Sequence, residues 1–257
     1  MDLIISGIQY DIFWEDKDNN ISKIEILLKS LPVGTDIILL PEMFTTGFSM
    51  NAQKLSETME GYTVQWMKKV SFQFNAIVAG SLIIRENTIF RNRFLWVDPK
   101  GNISFYDKRH SFGLAKENQF YVNGNKREIF TYKGWNFLPS ICYDLRFPVW
   151  LKNNLNYHVI LNVANWPATR AKHWNTFLVS RAIENQAYLV GVNRIGKDGE
   201  ERNYCGDSAI IDFDGNVLNK IGETEGIITS TISFENLQNY RSKYPFLKDQ
   251  DIFSFNY

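Results

Sequence analysis

Apolar and polar positions along this chain follow two periods, and the switches between them mark its elements. Residues 3–9 form a mostly apolar run of strand length. In residues 21–31, Ile24, Leu27, Leu28 and Leu31 stand three and four apart, which is the stripe of an amphipathic helix. Residues 36–40 form a short apolar strand of the kind buried on both faces, and Pro41, which has no N–H for a ladder, stops it. Helix-period and strand-period patterns then follow over 63–74 and 76–84. The turn Asp98-Pro99-Lys100-Gly101 joins strands at 89–97 and 103–108 into a hairpin. Residues 135–141 are a buried strand that stops at Cys142, and Pro148 punctuates the polar turn after it. A helix near Pro148, a strand at 158–163, a helix at 173–185 and a strand at 187–193 come next. Asp198-Gly199 and Asp214-Gly215 mark two further hairpin turns.

Helices alternating with strands and then hairpins predict an α/β protein with mixed sheets. If each half packs its helices outward, two sheets face one another in a four-layer α-β-β-α sandwich; periodicity alone leaves a three-layer arrangement open. With 257 residues, 44% of them hydrophobic, no linker and no internal repeat, the whole of 1–257 is expected to form a single domain. The 28 basic and 28 acidic residues are interspersed, so nucleic acid and anionic membranes are not expected partners. No run approaches the ~20 apolar residues that span a bilayer. Met1-Asp2-Leu3 has no basic n-region, and two cysteines make no disulfide framework, so a reducing cytoplasmic setting is expected.

Glu42, Lys108 and Cys142 each stand just past the C-terminal end of a predicted strand, the edge where open α/β sheets bind ligands. A thiol at a sharp turn after a core strand can be presented with fixed geometry. Taken alone, Cys142 reads as a buried structural cysteine, Glu42 as a cap or surface carboxylate and Lys108 as a solvated strand end. Together they make a coherent machine. A free thiol is mostly protonated at neutral pH, so Glu42 would take its proton as it attacks a carbonyl and later return it to the leaving amine. Lys108 and the backbone N–H of Tyr143 would hold the oxyanion.

The three segments also resemble a known family. Pro41-Glu42-Met43-Phe44, Tyr106-Asp107-Lys108-Arg109-His110 and Ile141-Cys142-Tyr143-Asp144-Leu145-Arg146-Phe147-Pro148 look like the three motif blocks of the nitrilase superfamily, the carbon–nitrogen hydrolases. The likeness extends through Asn165-Trp166-Pro167-Ala168 and Arg181-Ala182-Ile183-Glu184-Asn185-Gln186 to the tail around Tyr240 and Pro245-Phe246. Within the superfamily, Glu42-Met43-Phe44-Thr45-Thr46-Gly47-Phe48 and Asn165-Trp166-Pro167-Ala168 are most similar to omega-amidases, which hydrolyse the terminal amide of 2-oxoglutaramate and 2-oxosuccinamate. The resemblance implies Glu42 as base, Lys108 as oxyanion stabiliser, Cys142 as nucleophile, the four-layer sandwich and a homodimer. It also implies a second, supporting glutamate, Glu117, followed by Tyr121 and Gly124. Asn118 stands where many relatives carry His.

Other residues are weighed against these. A Cys–His hydrolase built on His110, His158 or His173 leaves Glu42 and Lys108 unexplained. No cluster has metal-ligand spacing and no Gly-rich phosphate loop is present, so neither a metal nor a cofactor is expected. Cys205 reads as packing. A 2-oxo acid amide carries a far carboxylate, for which Arg146, Arg170 and Arg194 are candidates, with Arg146 preferred. Phe44, Phe112 and Trp166 follow the motif blocks and are expected to line the pocket. The expected activity is therefore an amidase acting through a cysteine thioester on a small 2-oxo dicarboxylic acid monoamide. Its rivals are an N-carbamoyl amide hydrolase, an amidase for acylated peptides, and a non-catalytic binding module on the same fold.

Overall fold

The central strands are apolar and buried at nearly every position, as strands covered on both faces must be. The structure, a computed structural model, describes residues 1–255. In chain order the first elements are β1 (Leu3–Gln9), α1 (Lys17–Leu28), β2 (Ile37–Leu39), α2 (Ala52–Leu55), α3 (Tyr62–Phe74), β3 (Ile77–Glu86), β4 (Ile89–Val97) and β5 (Ile103–Asp107). Next come β6 (Phe130–Tyr132), β7 (Trp135–Ile141), α4 (Pro148–Leu151), β8 (Val159–Ala164), α5 (Ala171–Asn185) and β9 (Tyr188–Asn193). The chain continues through β10 (Ile195–Lys197), β11 (Asn203–Cys205), β12 (Ala209–Ile211), β13 (Val217–Lys220), β14 (Gly226–Ile232) and α6 (Phe234–Lys243).

Two 6-stranded sheets run in the orders β14-β1-β2-β3-β4-β5 and β13-β12-β9-β8-β7-β6. At the heart of each lie three parallel strands, β1-β2-β3 and β7-β8-β9. Both β3 and β5 pair antiparallel with β4, so β5 runs parallel to β3 and ends at the same edge as β2.

One face of the first sheet (Ile38, Leu40, Val78, Leu95) packs with Ile24 of α1 and Met67 of α3. The other face (Leu39, Ala79, Phe94, Trp96) belongs to a core shared with the second sheet. There the Trp96 and Phe137 rings lie 5.0 Å apart. The closeness of the layers is visible at two glycines. A Cβ on Gly7 would stand 2.5 Å from Val192 across the sheet interface, and one on Gly191 would stand 2.6 Å from Leu178 of α5. Helices α1 and α3, the first sheet, the second sheet and α5 thus form the four-layer α-β-β-α sandwich.

Helix α1 starts earlier than its apolar stripe because the Asp16 side chain accepts the Asn19 N–H at 3.2 Å. It also ends earlier, since Pro32 disfavours helical backbone at the residue before it. Strand β14 and helix α6 were not legible: β14 is the threonine-rich Gly-Ile-Ile-Thr-Ser-Thr-Ile and α6 buries only Leu237. β14 nonetheless closes the first sheet by pairing antiparallel along the whole of β1. Among the described residues, no helix is long and apolar enough to cross a membrane.

Candidate active site

Each of the three strand ends singled out from the pattern has its own local device. After β2, the Glu42 side chain is fully buried and Met43 takes a left-handed φ of +44°. The Met43 N–H donates to Ser81 Oγ at 2.9 Å, which fixes that turn to β3. Past β5, the Lys108 N–H donates to the Asn92 carbonyl (3.0 Å) and its own carbonyl accepts the Gly124 N–H (2.8 Å). Past β7, Cys142 also has a φ of +44° and opens a short 3-10 turn over Cys142–Arg146. Left-handed backbone at a non-glycine residue costs of order 1–3 kcal/mol and persists only where its surroundings over-determine it.

At the elbow the over-determination comes from Asp144. Its buried carboxylate accepts the Ile141 N–H (3.0 Å), the Tyr106 hydroxyl (2.8 Å), the His110 N–H (2.9 Å) and His110 Nδ1 (2.8 Å). One side chain therefore ties the turn bearing Cys142 to the segment bearing Lys108. It also accounts for His110, whose ring stacks on Phe147 at 3.7 Å.

The charged cluster is tight. Lys108 Nζ donates to Glu42 Oε1 at 2.8 Å and to both Glu117 oxygens at 3.0 Å. Glu42 Oε2 accepts the Asn165 N–H at 2.9 Å, and the Glu42 carbonyl accepts Asn165 Nδ2 at 2.6 Å. Cys142 Sγ lies 3.8 Å from the Asn165 carbonyl oxygen, so thiol and carboxylate share one neighbour. Burial alone would pull the Lys108 ammonium down, but Glu117, Glu42 and Cys142 outweigh it and hold it above its usual value. Glu117 is pushed up by burial and by Glu42 against the pull of Lys108. The Cys142 thiol is pushed well up, by burial first and then by Glu42, with Lys108 opposing. The resting site therefore holds a thiol, and attack by sulfur needs a base.

A cavity of about 260 Å³ opens over this cluster. Glu42, Lys108 and Cys142 form its floor, and Tyr143, Phe112, Trp166 and Arg146 stand among its walls. Phe112 meets Tyr143 edge-on at 5.1 Å, and its N–H donates to Glu117 Oε2 at 2.6 Å. The cavity is a built cleft rather than a surface dent.

A family model for carbon–nitrogen hydrolases matches residues 5–242. The chain belongs to the carbon–nitrogen hydrolase family. It is a hydrolase of carbon–nitrogen bonds and, within the nitrilase superfamily, omega-amidase-like. It is 42% identical over 252 residues to the omega-amidase YafV of Yersinia enterocolitica, covering 98% of each chain. It is 32% identical to a 2-oxoglutaramate amidase of Bacillus subtilis, covering 95% of this chain and 96% of that one. A CN-hydrolase superfamily protein of Xanthomonas campestris, with an arsenic adduct in its active site, superposes with a TM-score of 0.97 at 40% identity over 100% of both chains.

In this carbon–nitrogen hydrolase the structure corrects one expected pocket residue. Phe44 does not line the cavity: the turn at Met43 sends its ring, fully buried, to the helix side of the first sheet, 6.0 Å from Trp66. Phe48 takes that place, its ring 5.0 Å from Lys108 Nζ. The three arginines separate. Arg194 is fully buried and bonded to Asp11 (2.8 Å) and to the carbonyls of Ile12, Ile195 and Lys197. Arg146 and Arg170 both line the cavity, and among the described residues neither has a carboxylate within salt-bridge distance. His158 accepts the Asn136 N–H and is pushed down to about 4 by burial and by Arg241, while His173 contacts Arg146.

Sequence reasoning missed Asn92 and the contacts of Asn165. Asn92 was findable: on β4 it shares the parity of Phe94 and Trp96, so an amide stands in register with core aromatics.

Proposed function

We propose that this protein hydrolyses the terminal amide of a small 2-oxo dicarboxylic acid monoamide, 2-oxoglutaramate or 2-oxosuccinamate, through a thioester on Cys142. The observation that carries this reading is the pairing, in one cavity, of Glu42, Lys108 and Cys142, with Glu117 buried behind them on Lys108, and two arginines that lack acidic partners among the described residues. The former suits amide chemistry, and the latter suits the carboxylate at the substrate's far end.

Glu42 Oε1 is already held by Lys108 and Asn92, which leaves Oε2, on the N–H of the same Asn165 whose carbonyl the thiol approaches, as the proton acceptor. Sulfur attacks the amide carbon as its proton passes to Glu42. The carbonyl electrons move onto oxygen, which Lys108 Nζ and the Tyr143 N–H stabilise; Tyr143 lies in the first turn of the 3-10 segment, where an N–H has no intrahelical acceptor. Collapse breaks the C–N bond, and Glu42 returns the proton to the departing ammonia. A water then gives its proton to Glu42 and attacks the thioester; collapse releases the acid and restores the thiol. Glu117 orients Lys108 and shares the site's proton load. No cofactor enters any step.

The two amidase relatives support the substrate, and a cavity of about 260 Å³ suits a small acid better than a long peptide, since drug-sized ligands occupy about 300–1,000 Å³. The arsenic adduct of the Xanthomonas relative fits a thiol-bearing active site, because arsenic is thiol-seeking. A reducing cytoplasmic setting, which keeps Cys142 a free thiol, and a homodimer complete the proposed reading.

The test is ammonia release from 2-oxoglutaramate, 2-oxosuccinamate, glutamine, asparagine and an N-carbamoyl amino acid. Release confined to the 2-oxo amides is expected; release from the carbamoyl compound alone would keep the mechanism and discard the substrate. Arg146→Ala is expected to raise KM for the 2-oxo amides about 10- to 100-fold, since a hydrogen bond to a charged group is worth ~1.5–3 kcal/mol, with a smaller change in kcat. An unchanged KM would move the carboxylate site away from Arg146.

A further inference from the structure

Asn92 lies in the middle of β4, nearly fully buried and outside the cavity lining, and it neither gives nor takes a proton in the steps above. Its contacts nonetheless reach every part of the charged cluster. Asn92 Nδ2 donates to Glu42 Oε1 at 2.8 Å and to Glu117 Oε1 at 3.3 Å, and its carbonyl accepts the Lys108 N–H. Its Oδ1 accepts from Ser81 Oγ at 2.8 Å.

The direction of this amide follows from its neighbours. Ser81 Oγ already accepts the Met43 N–H, so its own proton is free to go to Asn92 Oδ1. The NH2 group then faces the carboxylates, and each of its hydrogens has one carboxylate oxygen to meet. The flipped amide would set an oxygen against two carboxylate oxygens and leave the Ser81 proton without an acceptor. Ser81 thus acts as a latch on the orientation of Asn92, and the same latch grips the left-handed turn that carries Glu42.

We propose that Asn92, latched by Ser81, is a positioning residue: it divides its two amide hydrogens between Glu42 and Glu117, keeping the pair side by side on Lys108 and turning Glu42 Oε2 toward Cys142. The charged and titratable groups facing the pair are Lys108 past β5, Cys142 past β7 and Tyr121 in the segment after Glu117. Lys108 is the one cation among them. Without Asn92, the pair keeps the Lys108 ammonium and one backbone donor on each outer oxygen (Asn165 N–H on Glu42, Phe112 N–H on Glu117) but loses the one neutral donor that both carboxylates share, and it binds a proton more readily.

The proposal rests on the roles of Glu42 and Cys142 given above, and its test therefore includes a reading that needs no substrate. Asn92→Ala is compared with the unaltered protein by alkylation of Cys142 with iodoacetamide across pH, and by kcat and KM on 2-oxoglutaramate. The rise of the alkylation rate with pH is expected to move up by about one pH unit, because donors to the ionised carboxylates are lost. The kcat is expected to fall about 100-fold, the size of effect that misplacement of a reacting group produces, while KM stays within about twofold. Ser81→Ala, which keeps Asn92 but frees its amide to flip, is expected to shift the alkylation profile in the same direction by less. It also stands in if Asn92→Ala does not fold. A folded Asn92→Ala with unaltered alkylation profile and kcat would overturn the proposal, as would an unaltered Ser81→Ala if it alone folds. Failure of the substrate reading shows separately, as silence of the unaltered protein on 2-oxo amides.

Discussion

Cys142→Ala is expected to lower turnover of 2-oxo amides by about 10⁵-fold, the scale on which removal of a catalytic nucleophile acts. Its fold is expected to remain. The left-handed backbone at position 142 burdens alanine and cysteine alike, and the elbow is held by the Asp144 carboxylate rather than by the thiol. Loss of one sulfur from a half-buried site leaves little cavity. Activity measured alongside circular dichroism checks both halves. A folded variant retaining a tenth of the activity would remove Cys142 from the chemistry.

Lys108→Met carries the second large effect, and it acts on two links at once. Losing an oxyanion donor is expected to cost about 10²–10³ in kcat. Removing the cation also leaves Glu42 and Glu117 buried together, and breaking a buried pair in this way destabilises by about 3–5 kcal/mol. The pH dependence has a definite sign. Glu117 already binds its proton more tightly folded than unfolded, through burial and the neighbouring Glu42, and without Lys108 that excess grows. A carboxylate raised on folding contributes stability that is present below its unfolded value and lost as pH rises through its folded value. The variant is therefore expected to be more stable near pH 5 than near pH 8. Urea unfolding at the two pH values, with the unaltered protein beside it, reads this directly. In the unaltered protein the raised Lys108 contributes stability at both pH values, since its excess is lost only above the ordinary lysine range. A variant equally stable at both would mean that the two carboxylates do not depend on Lys108.

The parts of this account that were legible in the sequence share one cause. Glu42 and Cys142 each follow a short apolar run that a breaker or polar turn ends, and Lys108 closes the second strand of a hairpin announced by its Asp98-Pro99-Lys100-Gly101 turn, so their place at strand ends could be read from local pattern alone. That all three ends meet at one edge depends on β5 running parallel to β3 and on the second sheet stacking on the first, which local pattern does not encode. Glu117 came only through the family resemblance, because its segment has no period. Phe44 was misplaced because nearness in sequence to Glu42 says nothing about the half-turn at Met43, after which the chain swings one aromatic into the core and brings Phe48 to the cleft. The arginines could not be told apart for a similar reason. Only long-range partners such as Asp11, 183 residues from Arg194, mark which guanidinium is already satisfied.

The central claim is that acyl transfer proceeds through a thioester on Cys142. The most direct measurement lets hydroxylamine compete with water for that intermediate, starting from 2-oxoglutaramate and, separately, from the corresponding terminal methyl ester. A common thioester predicts the same ratio of hydroxamate to acid from both donors at each hydroxylamine concentration. Ratios that depend on the donor, or ammonia release with no hydroxamate at any concentration, would contradict it.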